Sequence, residues 1–490
     1  MKSILTRILK YDILLLIVIT FLSRLPQLLS DNLFVDGDEC IVGLMAKHFI
    51  EGKELPFFFY GQSYGFSFLE IIPIGLFYKV FGVSILAVKL AMLTLFSLGV
   101  VYFYKTLQNL DSAESKFTPL LFTLILIFSP AYALWAMKAR GGYMTAFVLT
   151  FVVTYLASKK TDLFQPVKGL LIGLFLVIIY QSQPLWLAGL NPLLLVLNFK
   201  GKPLVSFLFQ AVGILAGTII FYFIKQDLSE FWTPPVIDIS SINIDWILSI
   251  PRNTFIYFTG SYEYGDFIEP NQLTQALSYL MVASIPILII GIAYKLIQSK
   301  NRNILMLASL ASVLVTIGYL IFLNNSTPRY HMPLLGFLLI MGFLFVSKTK
   351  NKLIPNTISI LIVILGIPSM ISFKNYSYAN NKDEMILNDT LQKDGIEYVF
   401  CEGGLTQWKI IFNAQEKVIA RFVHNTDRYP KYIELVNEAL EASKGNVALV
   451  GYYNEAFVES SPNCKQVGDI YFVYDNPSKE LLKERGFKFE

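Results

Sequence analysis

The chain has 490 residues, of which 54% are hydrophobic and only 16% are charged, and its formal net charge is +4. A soluble domain carries roughly 25% charged residues, so this composition argues against a soluble enzyme. The 40 phenylalanines and 27 tyrosines argue against disorder, and so small a net charge gives no reason to expect a nucleic-acid partner. The composition predicts a polytopic α-helical membrane protein in contact with membrane lipids.

Apolar runs along the chain predict about 11 transmembrane helices, since one crossing takes roughly 20 apolar residues. The predicted spans are 11–29, 84–104, 118–137, 143–157, 169–180, 185–197, 204–224, 276–294, 304–323, 331–346 and 353–373. The short pair 169–180 and 185–197 fits either two helices or a bent hairpin. The run 66–81 is interrupted by Glu70 and Lys79, so we expect it to lie in the membrane interface.

Lysines and arginines cluster at alternate ends of these spans, which is typical of cytoplasmic ends. The basic segments are 2–10, 105, 159–168, 200–202, 295–302 and 348–352. This pattern places the N-terminus in the cytoplasm and the C-terminus outside, in the plasma membrane. The segments predicted to lie outside are 30–82, 138–142, 225–275, 324–330 and 374–490.

Residues 374–490 change abruptly in composition, with frequent charges and no long apolar run. They predict a small extracytoplasmic α/β domain that follows a membrane domain of residues 1–373. Its predicted elements are strands at 396–400 and 447–450 and a helix at 432–442. Cys401 and Cys464 both fall in this domain, and a disulfide between them is one option in an oxidising compartment.

Three carboxylates, Asp36, Asp38 and Glu39, follow the first predicted span. The apolar residues after them have helical spacing, which predicts an amphipathic helix on the membrane surface. Asp36 and Glu39 have the spacing of a capping box at its N-terminus. Like charges so close together also fit a functional site. In that case one carboxylate is a general base, or Asp36 and Asp38 hold a divalent cation through their oxygens.

Gln62, Tyr64 and Glu70 are polar residues in an aromatic, glycine-rich stretch of the same loop, 30–82. Aromatic residues are common at membrane interfaces without any further function. Aromatic faces with amide and carboxylate neighbours also suit a sugar ring. These three residues are therefore candidate substrate-binding residues, and both interpretations stay open.

Arginines stand beside two predicted span ends on the outer side. Arg140 lies next to two glycines, and Arg329 is followed by Tyr330 and His331. A guanidinium suits a lipid phosphate because it is always charged and binds in a bidentate manner. An interfacial anchor is the alternative interpretation. All four residues are candidate substrate-binding residues.

These motifs resemble the GT-C superfamily of membrane glycosyltransferases. More closely, they are similar to the relatives of protein O-mannosyltransferases and of the aminoarabinose transferase of lipid A (glycosyltransferase family 39-like). The segments that carry the resemblance are 38–39, 43–48, 52–56, 59–65, Glu70, 140–143 and 327–333. It covers about residues 1–372, and the C-terminal domain adds little to it.

The resemblance implies an inverting hexosyltransferase that moves a sugar from a polyprenyl-phosphate donor to an acceptor hydroxyl outside the cytoplasm. Asp38 matches the base that removes the acceptor proton, with Glu39 as its neighbour, and Asp36 is an acid beyond this pattern. The mannosyltransferase-like branch needs no metal. The D-x-D spacing is similar to that of a metal-using branch, so Mg²⁺ or Mn²⁺ is the alternative. The sugar stays open, and the acceptor is a lipid, a glycan or a protein.

Two other functions fit a polytopic protein of this kind. A lipid-linked glycan polymerase or ligase acts in the same compartment and differs mainly in using a diphosphate donor. A transporter or flippase places ionisable residues near the middle of its spans. The predicted spans are almost free of charge between their ends, which favours an enzyme.

Overall fold

The computed structural model describes residues 11–30, 33, 35–110, 116–159, 164–199, 203–226, 243–260, 262–263, 266–267, 271–298, 303–323, 327–349, 352–372, 381–442 and 446–489. Over these residues the chain forms a large set of apolar helices followed by a small α/β domain. The predicted boundary between the two domains, at residue 373, lies outside the described residues. So do the basic segments 2–10 and 200–202, and the orientation in the membrane stays a prediction.

The first part of the chain is helical. Its helices are α1 (Asp12–Leu28), α2 (Gly37–Ile50), α3 (Phe68–Phe81), α4 (Ile85–Leu110), α5 (Phe117–Phe128), α6 (Tyr143–Ser158), α7 (Gln165–Ser182), α8 (Leu185–Asn198), α9 (Pro203–Lys225), α10 (Ile244–Thr259), α11 (Gln272–Gln298), α12 (Ile304–Phe322), α13 (Met332–Ser347) and α14 (Leu353–Ser372). Short 3-10 turns at Pro130–Tyr132 and Trp135–Met137 follow α5, and Pro328–His331 precedes α13. A two-residue hairpin, β1 (Tyr262–Glu263) and β2 (Asp266–Phe267), follows α10.

Each predicted span coincides with a helix except 118–137, which is helical up to Phe128 and continues as two 3-10 turns. Among the described residues, seven helical segments are long and apolar enough to cross a membrane, namely α4, α7, α9, α11, α12, α13 with its preceding turn, and α14. Helix α5 and the turns after it are bent by 58° relative to each other. If they form one span, the number of candidate spans is eight. Helices α1, α6 and α8 are shorter, with 17, 16 and 14 residues. The chain is a multi-pass membrane protein, and the exact number of crossings stays a prediction.

Two features of the helical part differ from the sequence prediction. The outer segment 225–275 contains helix α10, which carries Pro251 inside it and is amphipathic rather than continuously apolar. Helix α2 is not a half-exposed surface helix, because its residues from Gly37 to His48 are buried. The C-terminal domain covers it, and added Cβ atoms at Gly37 and Gly43 would come within 3 Å of Leu405 and Phe412.

Glycines bring helices α7 and α9 into backbone contact. A Cβ atom on Gly173 would lie 2.1 Å from the carbonyl oxygen of Gln210, and one on Gly213 would lie 2.3 Å from that of Leu170. Apolar side chains gain nothing by leaving lipid for another helix, so close backbone packing of small residues is a main source of helix association in membranes. The spacing of four residues from Gly169 to Gly173 keeps both glycines on this contact face.

The C-terminal part is the predicted α/β domain. Its elements are α15 (Asn381–Lys393), β3 (Tyr398–Cys401), α16 (Thr406–Asn413), β4 (Ile419–Arg421), α17 (Pro430–Glu441), β5 (Val447–Tyr452), α18 (Glu455–Ser460), β6 (Cys464–Val467), β7 (Tyr471–Asp475) and α19 (Lys479–Glu484). The strand order is β4-β3-β5-β7-β6, with the first three strands parallel and the last two joined antiparallel. Both predicted strands and the predicted helix are confirmed.

Both faces of this sheet are buried at its central strands β3 and β5, so these two strands are continuously apolar rather than alternating. Successive side chains point to opposite faces. Phe400 and Leu449 pack with Phe472 in a core within the domain, whereas Val399 and Val450 belong to the core that continues into the helical part. The sheet therefore joins the two parts of the protein through one of its faces.

The sequence left open a disulfide between Cys401 and Cys464, and the structure shows none, because both thiols are free. Cys401 lies on β3 and Cys464 on β6, with β5 and β7 between them. Neighbouring strands are about 4.8 Å apart, so these cysteines are separated by roughly 14 Å across the sheet. A disulfide needs Cα atoms within about 7 Å.

We expect Gly173→Ala to destabilise the helical part by about 1–3 kcal/mol, because the new methyl group meets a backbone carbonyl that cannot turn aside. Thermal unfolding of the purified protein in detergent measures the effect. Gly318→Ala on α12 is the matched control, since a Cβ atom there meets nothing within 4 Å. Equal unfolding temperatures for the two variants would contradict the backbone contact.

Candidate active site

The predicted capping box is present at the start of α2. The Asp36 carboxylate accepts a hydrogen bond from the Glu39 backbone N–H at 2.8 Å, and the Glu39 carboxylate accepts one from the Asp36 N–H at 3.2 Å. Aspartate at the N-cap followed by glutamate three residues later satisfies two free N–H groups of the helix end. These hydrogen bonds fix the orientation of the acidic side chains at the first turn of α2.

Each of the three acids in this turn faces a basic residue from another part of the chain. Lys138 Nζ lies 2.5 Å from Asp36 Oδ2, Lys89 Nζ lies 2.5 Å from Glu39 Oε1, and Arg140 Nη2 lies 3.0 Å from Asp38 Oδ2. Burial of a carboxylate is costly without a charged partner. The three ion pairs therefore tie α2 to α4 and to the turn after α5.

The three carboxylates differ in exposure. The side chain of Asp38 is 11% exposed, that of Asp36 5% and that of Glu39 0%. Both oxygens of Glu39 are used inside the protein, by Lys89 and by the N–H of Asp36. Asp38 is consequently the member of the group whose carboxylate is most accessible from outside.

Burial and charge oppose each other at the Asp36–Lys138 pair. Burial would raise the pKa of Asp36, but the positive charges of Lys138 and Arg140 outweigh it and lower that pKa to about 2. Burial lowers the pKa of Lys138 to about 8 despite the neighbouring Asp36 and Glu39. The pKa of Glu39 is raised by burial, although Lys89 acts against the shift.

The turn that carries Arg140 has a backbone that favours glycine. Gly141 and Gly142 have φ angles of 49° and 83°, where a Cβ atom is disfavoured. A Cβ atom on Gly142 would also lie 2.6 Å from the carbonyl oxygen of Phe66. The two glycines let the chain reverse close to the loop 30–82, and this places Arg140 beside Asp38.

Glu70 binds the end of the turn that carries Arg140 and does not face the acids of α2. It is fully buried, and its Oε1 accepts hydrogen bonds from the backbone N–H groups of Met144 at 2.9 Å and Thr145 at 3.2 Å, at the start of α6. Burial raises the pKa of Glu70 to about 7. The sequence predicted a substrate-binding role, whereas the structure shows a carboxylate that binds the free N–H groups of a helix end.

Arg329 approaches the same region from the turn before α13. Its guanidinium lies 5.3 Å from the ring centre of Tyr330, and its charge acts on the hydroxyl of Tyr143. The charge of Arg140 also acts on the Tyr143 hydroxyl. The structure thus brings the two predicted arginines to one tyrosine.

Tyr64 is close to both Arg329 and the acidic turn. Its hydroxyl lies within the electrostatic influence of Asp38, Arg329 and Tyr330. Tyr64 is partly exposed, as is Gln62 two residues before it on the same loop. Asp38, Tyr64, Arg140, Arg329 and Tyr330 form what we call the outer cluster.

His331 lies outside the outer cluster. It is completely buried, and its Nδ1 lies 2.8 Å from the hydroxyl of Thr254 on α10. The 3-10 turn before α13 directs Arg329 and His331 to different sides, so neighbours in sequence have different surroundings. The predicted substrate contact of His331 has no support from its position.

The predicted metal ligands do not fit a divalent cation. Asp36 and Asp38 already face Lys138 and Arg140, and a further positive ion would be repelled by both. In the part of the chain that the structure describes, no group of three or more His, Cys, Asp or Glu side chains is placed to hold a metal. A hard cation such as Mg²⁺ usually needs carboxylates free of competing positive charge.

The C-terminal domain binds the other end of α2 through Glu416. The Glu416 carboxylate lies 3.0 Å from His48 Nε2, accepts a hydrogen bond from the Tyr432 hydroxyl at 2.9 Å, and makes ion pairs with Lys47 and Lys53. Glu416 has a φ angle of 64°, a left-handed conformation uncommon for glutamate. These contacts of Glu416 hold the C-terminal domain against α2.

Sequence reasoning missed Lys89 as the partner of Glu39 and Lys138 as the partner of Asp36. It also missed Arg428, which reaches the loop 30–82 from the C-terminal domain. A lysine close to the end of an apolar span, as at Lys89, is a weak signal. Nothing local in the sequence indicates Arg428, because its neighbours in space are more than 300 residues away.

No protein-family model matches the chain, and no curated protein matches it. Two solved structures of ArnT from Cupriavidus metallidurans are similar to it over nearly its whole length. The structure bound to undecaprenyl phosphate has a TM-score of 0.61 at 10% sequence identity, covering 97% of this chain and 99% of that one.

The apo structure of the same protein has a TM-score of 0.63 at 9% identity, covering 96% of this chain and 98% of that one. The chain has the fold of these ArnT structures. The C-terminal α/β domain falls inside the matched region, so the likeness extends past the residues that carried the sequence resemblance. At such low identity the likeness concerns the fold.

We expect the wild-type protein to lose stability relative to Glu70→Gln as the pH rises from 4.5 to 7.5. The pKa of Glu70 is raised in the folded state, so its proton stabilises folding at low pH and is lost as the pH passes about 7. The difference should reach on the order of 3 kcal/mol. Thermal unfolding across this pH range measures it.

The matched control for this experiment is Glu480→Gln, at an exposed position on α19. Its unfolding temperature should follow the wild type at each pH. Parallel pH profiles for wild type and Glu70→Gln would contradict a buried, largely protonated Glu70.

Proposed function

We propose that the protein is an inverting glycosyltransferase that moves a sugar from a polyprenyl-phosphate donor to an acceptor hydroxyl. The observation that carries the proposal is the Asp38 carboxylate, the least buried of the three acids in the turn, held at 3.0 Å from Arg140. Arg329 belongs to the same outer cluster. A base beside fixed guanidinium groups suits a transfer that removes a proton and releases a phosphate. The fold of ArnT, which one structure shows bound to undecaprenyl phosphate, supports a lipid-phosphate donor.

In this reaction Asp38 accepts the proton of the acceptor hydroxyl as its oxygen attacks the anomeric carbon. A new bond forms between that oxygen and the sugar, and the bond from the sugar to the phosphate oxygen breaks. The leaving lipid phosphate gains one negative charge. Arg140 and Arg329 are placed to stabilise that charge, because a guanidinium can donate several hydrogen bonds at once.

Asp36 and Glu39 act as positioning residues in this proposal. Their carboxylates are buried, and each is paired with a lysine. The capping box and the two lysines hold the first turn of α2, so Asp38 keeps its place when substrate binds. Attack from the side opposite the leaving phosphate then inverts the anomeric carbon.

We further propose that the outer cluster faces the extracytoplasmic side of the plasma membrane, with the N-terminus in the cytoplasm. The alternation of basic span ends supports this orientation. The buried charges within the helices fit it too, since Arg24 and Lys89 lie near the ends of α1 and α4 that approach the acidic turn rather than at mid-span. A transporter would place such charges nearer the centre of the bilayer.

We expect Asp38→Asn to lower sugar transfer by about 100- to 10,000-fold, the usual contribution of a general base. The assay measures release of undecaprenyl phosphate from a sugar-loaded donor by the purified protein. Activity only with a diphosphate-linked donor, which releases undecaprenyl diphosphate, would instead indicate a polymerase or ligase that uses lipid-linked glycans.

Two further variants make this test specific. Asp394→Asn removes an exposed acid of the C-terminal domain that pairs with Lys465, and it should retain wild-type activity. Asp38→Glu keeps the acid and should retain part of the activity. An Asp38→Asn protein that unfolds like wild type and remains fully active would exclude Asp38 as the base.

We expect transfer to survive chelation with EDTA, because Lys138 and Arg140 already neutralise the two aspartates that the D-x-D spacing would offer to a metal. Initial rates with and without EDTA should agree within about twofold, well below a tenfold change equivalent to 1.4 kcal/mol. Loss of activity that added Mg²⁺ or Mn²⁺ restores would show the opposite, namely that the aspartates bind a metal during turnover.

A further inference from the structure

The loop 57–67 carries Gln62 and Tyr64, and its tip lies against the turn before α6. A Cβ atom on Gly65 would lie 3.1 Å from the carbonyl oxygen of Gly141, so the two backbones leave no room for a side chain between them. A displacement of the loop therefore moves its side chains relative to the acid–base pair of the outer cluster.

Two anchors hold this loop in place. On its C-terminal side, the backbone N–H groups of Gly65 and Phe66 donate hydrogen bonds to the carbonyl oxygen of Gln181, at 2.9 and 3.0 Å. On its N-terminal side, the hydroxyl of Tyr60 lies 2.7 Å from Nδ1 of His48, near the end of α2. The first anchor depends on the backbone alone, whereas the second depends on two side chains.

His48 connects Tyr60 to the C-terminal domain. Its Nε2 lies 3.0 Å from Oε1 of Glu416, in the segment between α16 and β4. A carboxylate only accepts hydrogen bonds, so Nε2 carries the hydrogen, and in a neutral imidazole Nδ1 is then an acceptor. Tyr60 therefore donates its O–H to His48, and His48 donates its N–H to Glu416. The carboxylate fixes the tautomer of the ring and thereby the direction of both hydrogen bonds.

The three groups of this chain are shielded from water. His48 is completely buried, Tyr60 is 8% exposed, and the side chain of Glu416 is 12% exposed. The ring of Tyr60 also stacks on that of Tyr429, with the ring centres 4.9 Å apart. The carboxylate of Glu54, which accepts a hydrogen bond from the Tyr429 hydroxyl at 2.9 Å, also acts on the Tyr60 hydroxyl. The C-terminal domain thus contacts Tyr60 at its ring as well as through its hydroxyl.

Other contacts dock the C-terminal domain without the loop. Glu416 also pairs with Lys47 and Lys53, neither of which lies in the loop. Arg428 donates a hydrogen bond to the backbone oxygen of Tyr60, but its length of 3.4 Å exceeds the usual range for N–H···O bonds. The hydroxyl of Tyr60 is therefore the stronger polar link from the domain into the loop.

We propose that Glu416, acting through His48 and Tyr60, is a positioning residue for substrate binding. It fixes the loop that presents Gln62 and Tyr64, so that substrate binds well only while the C-terminal domain is docked. The proposal rests on the transferase function above, and it gives the C-terminal domain a part in that function that requires no contact with the substrate. A loop that is fixed before binding loses less freedom when the substrate arrives, which raises affinity.

The first test measures hydrogen exchange of the loop amides in the full-length protein in detergent. Tyr60→Phe keeps the ring and removes the hydroxyl, and exchange in the loop 57–67 should become faster by about 5- to 100-fold, as expected when a buried nitrogen loses its partner. Tyr78→Phe is the matched control, because its buried hydroxyl also bonds to α2, at 3.3 Å from the carbonyl oxygen of Gly43. It should leave loop exchange unchanged. Equal loop exchange in Tyr60→Phe and wild type would overturn the proposal.

Two variants of Glu416 test the other end of the chain. Glu416→Ala and Glu416→Gln both remove the charge, but only glutamine keeps an oxygen that can accept from His48. Loop exchange should therefore be faster in Glu416→Ala than in Glu416→Gln. Tyr60→Phe should have a smaller effect in the Glu416→Ala background than in wild type, because both changes break the same chain. Additive free energies, or equal exchange in the two Glu416 variants, would show that the loop is not held through His48. If Glu416→Ala does not fold, Tyr60→Phe decides alone.

Kinetics separate positioning from a general loss of stability. Tyr60→Phe should raise the KM of sugar transfer by about 5- to 20-fold and change kcat by less than about threefold, since Asp38 and Arg140 keep their own ion pair. Tyr78→Phe should keep both wild-type values. Faster loop exchange with unchanged KM and kcat would exclude a role in substrate binding. Wild-type protein that transfers no sugar would instead refute the proposed function, and loop exchange then decides the positioning of the loop by itself.

Discussion

Buried carboxylates in the first turn of α2 need positive partners, and the arrangement of the neighbouring helices and turns follows from this requirement. A carboxylate taken out of water is destabilised by several kcal/mol unless a cation and hydrogen bonds compensate it. Here the compensating groups come from Lys89 on α4 and from Lys138 and Arg140 after α5. The ion pairs that form the candidate site are therefore also contacts that hold these helices together.

The same helix is charged at its other end, where Lys47 and His48 meet Glu416 of the C-terminal domain. A helix of 14 residues is thus held by ion pairs at both ends, to membrane helices on one side and to a soluble domain on the other. Its centre packs through Gly43 against Phe412. This arrangement explains why α2 is buried although its sequence suggests a surface helix, and it makes the C-terminal domain part of the scaffold of the site.

Features determined by local physics could be predicted from the sequence. The bilayer demands long apolar runs, so each predicted span except the broken 118–137 is a single helix. The capping box of Asp36 and Glu39 depends only on a spacing of three residues. Features that depend on long-range contacts could not be predicted. Glu70 is adjacent in space to Met144, and Cys401 is separated from Cys464 by two strands. The residues adjacent in the sequence do not indicate either of these spatial relations.

Acids of similar chemistry take different parts in this site because their partners differ. Glu70 binds backbone N–H groups, and its raised pKa makes it a neutral structural group over much of the pH range. Asp36 is paired with Lys138 and remains ionised, since its pKa is lowered to about 2. Asp38 is the least buried acid of the turn, and its partner is Arg140, which we propose stabilises the leaving phosphate. Accessibility and the nature of the cation, rather than the number of acids, therefore distinguish the residue suited to chemistry from those that support it.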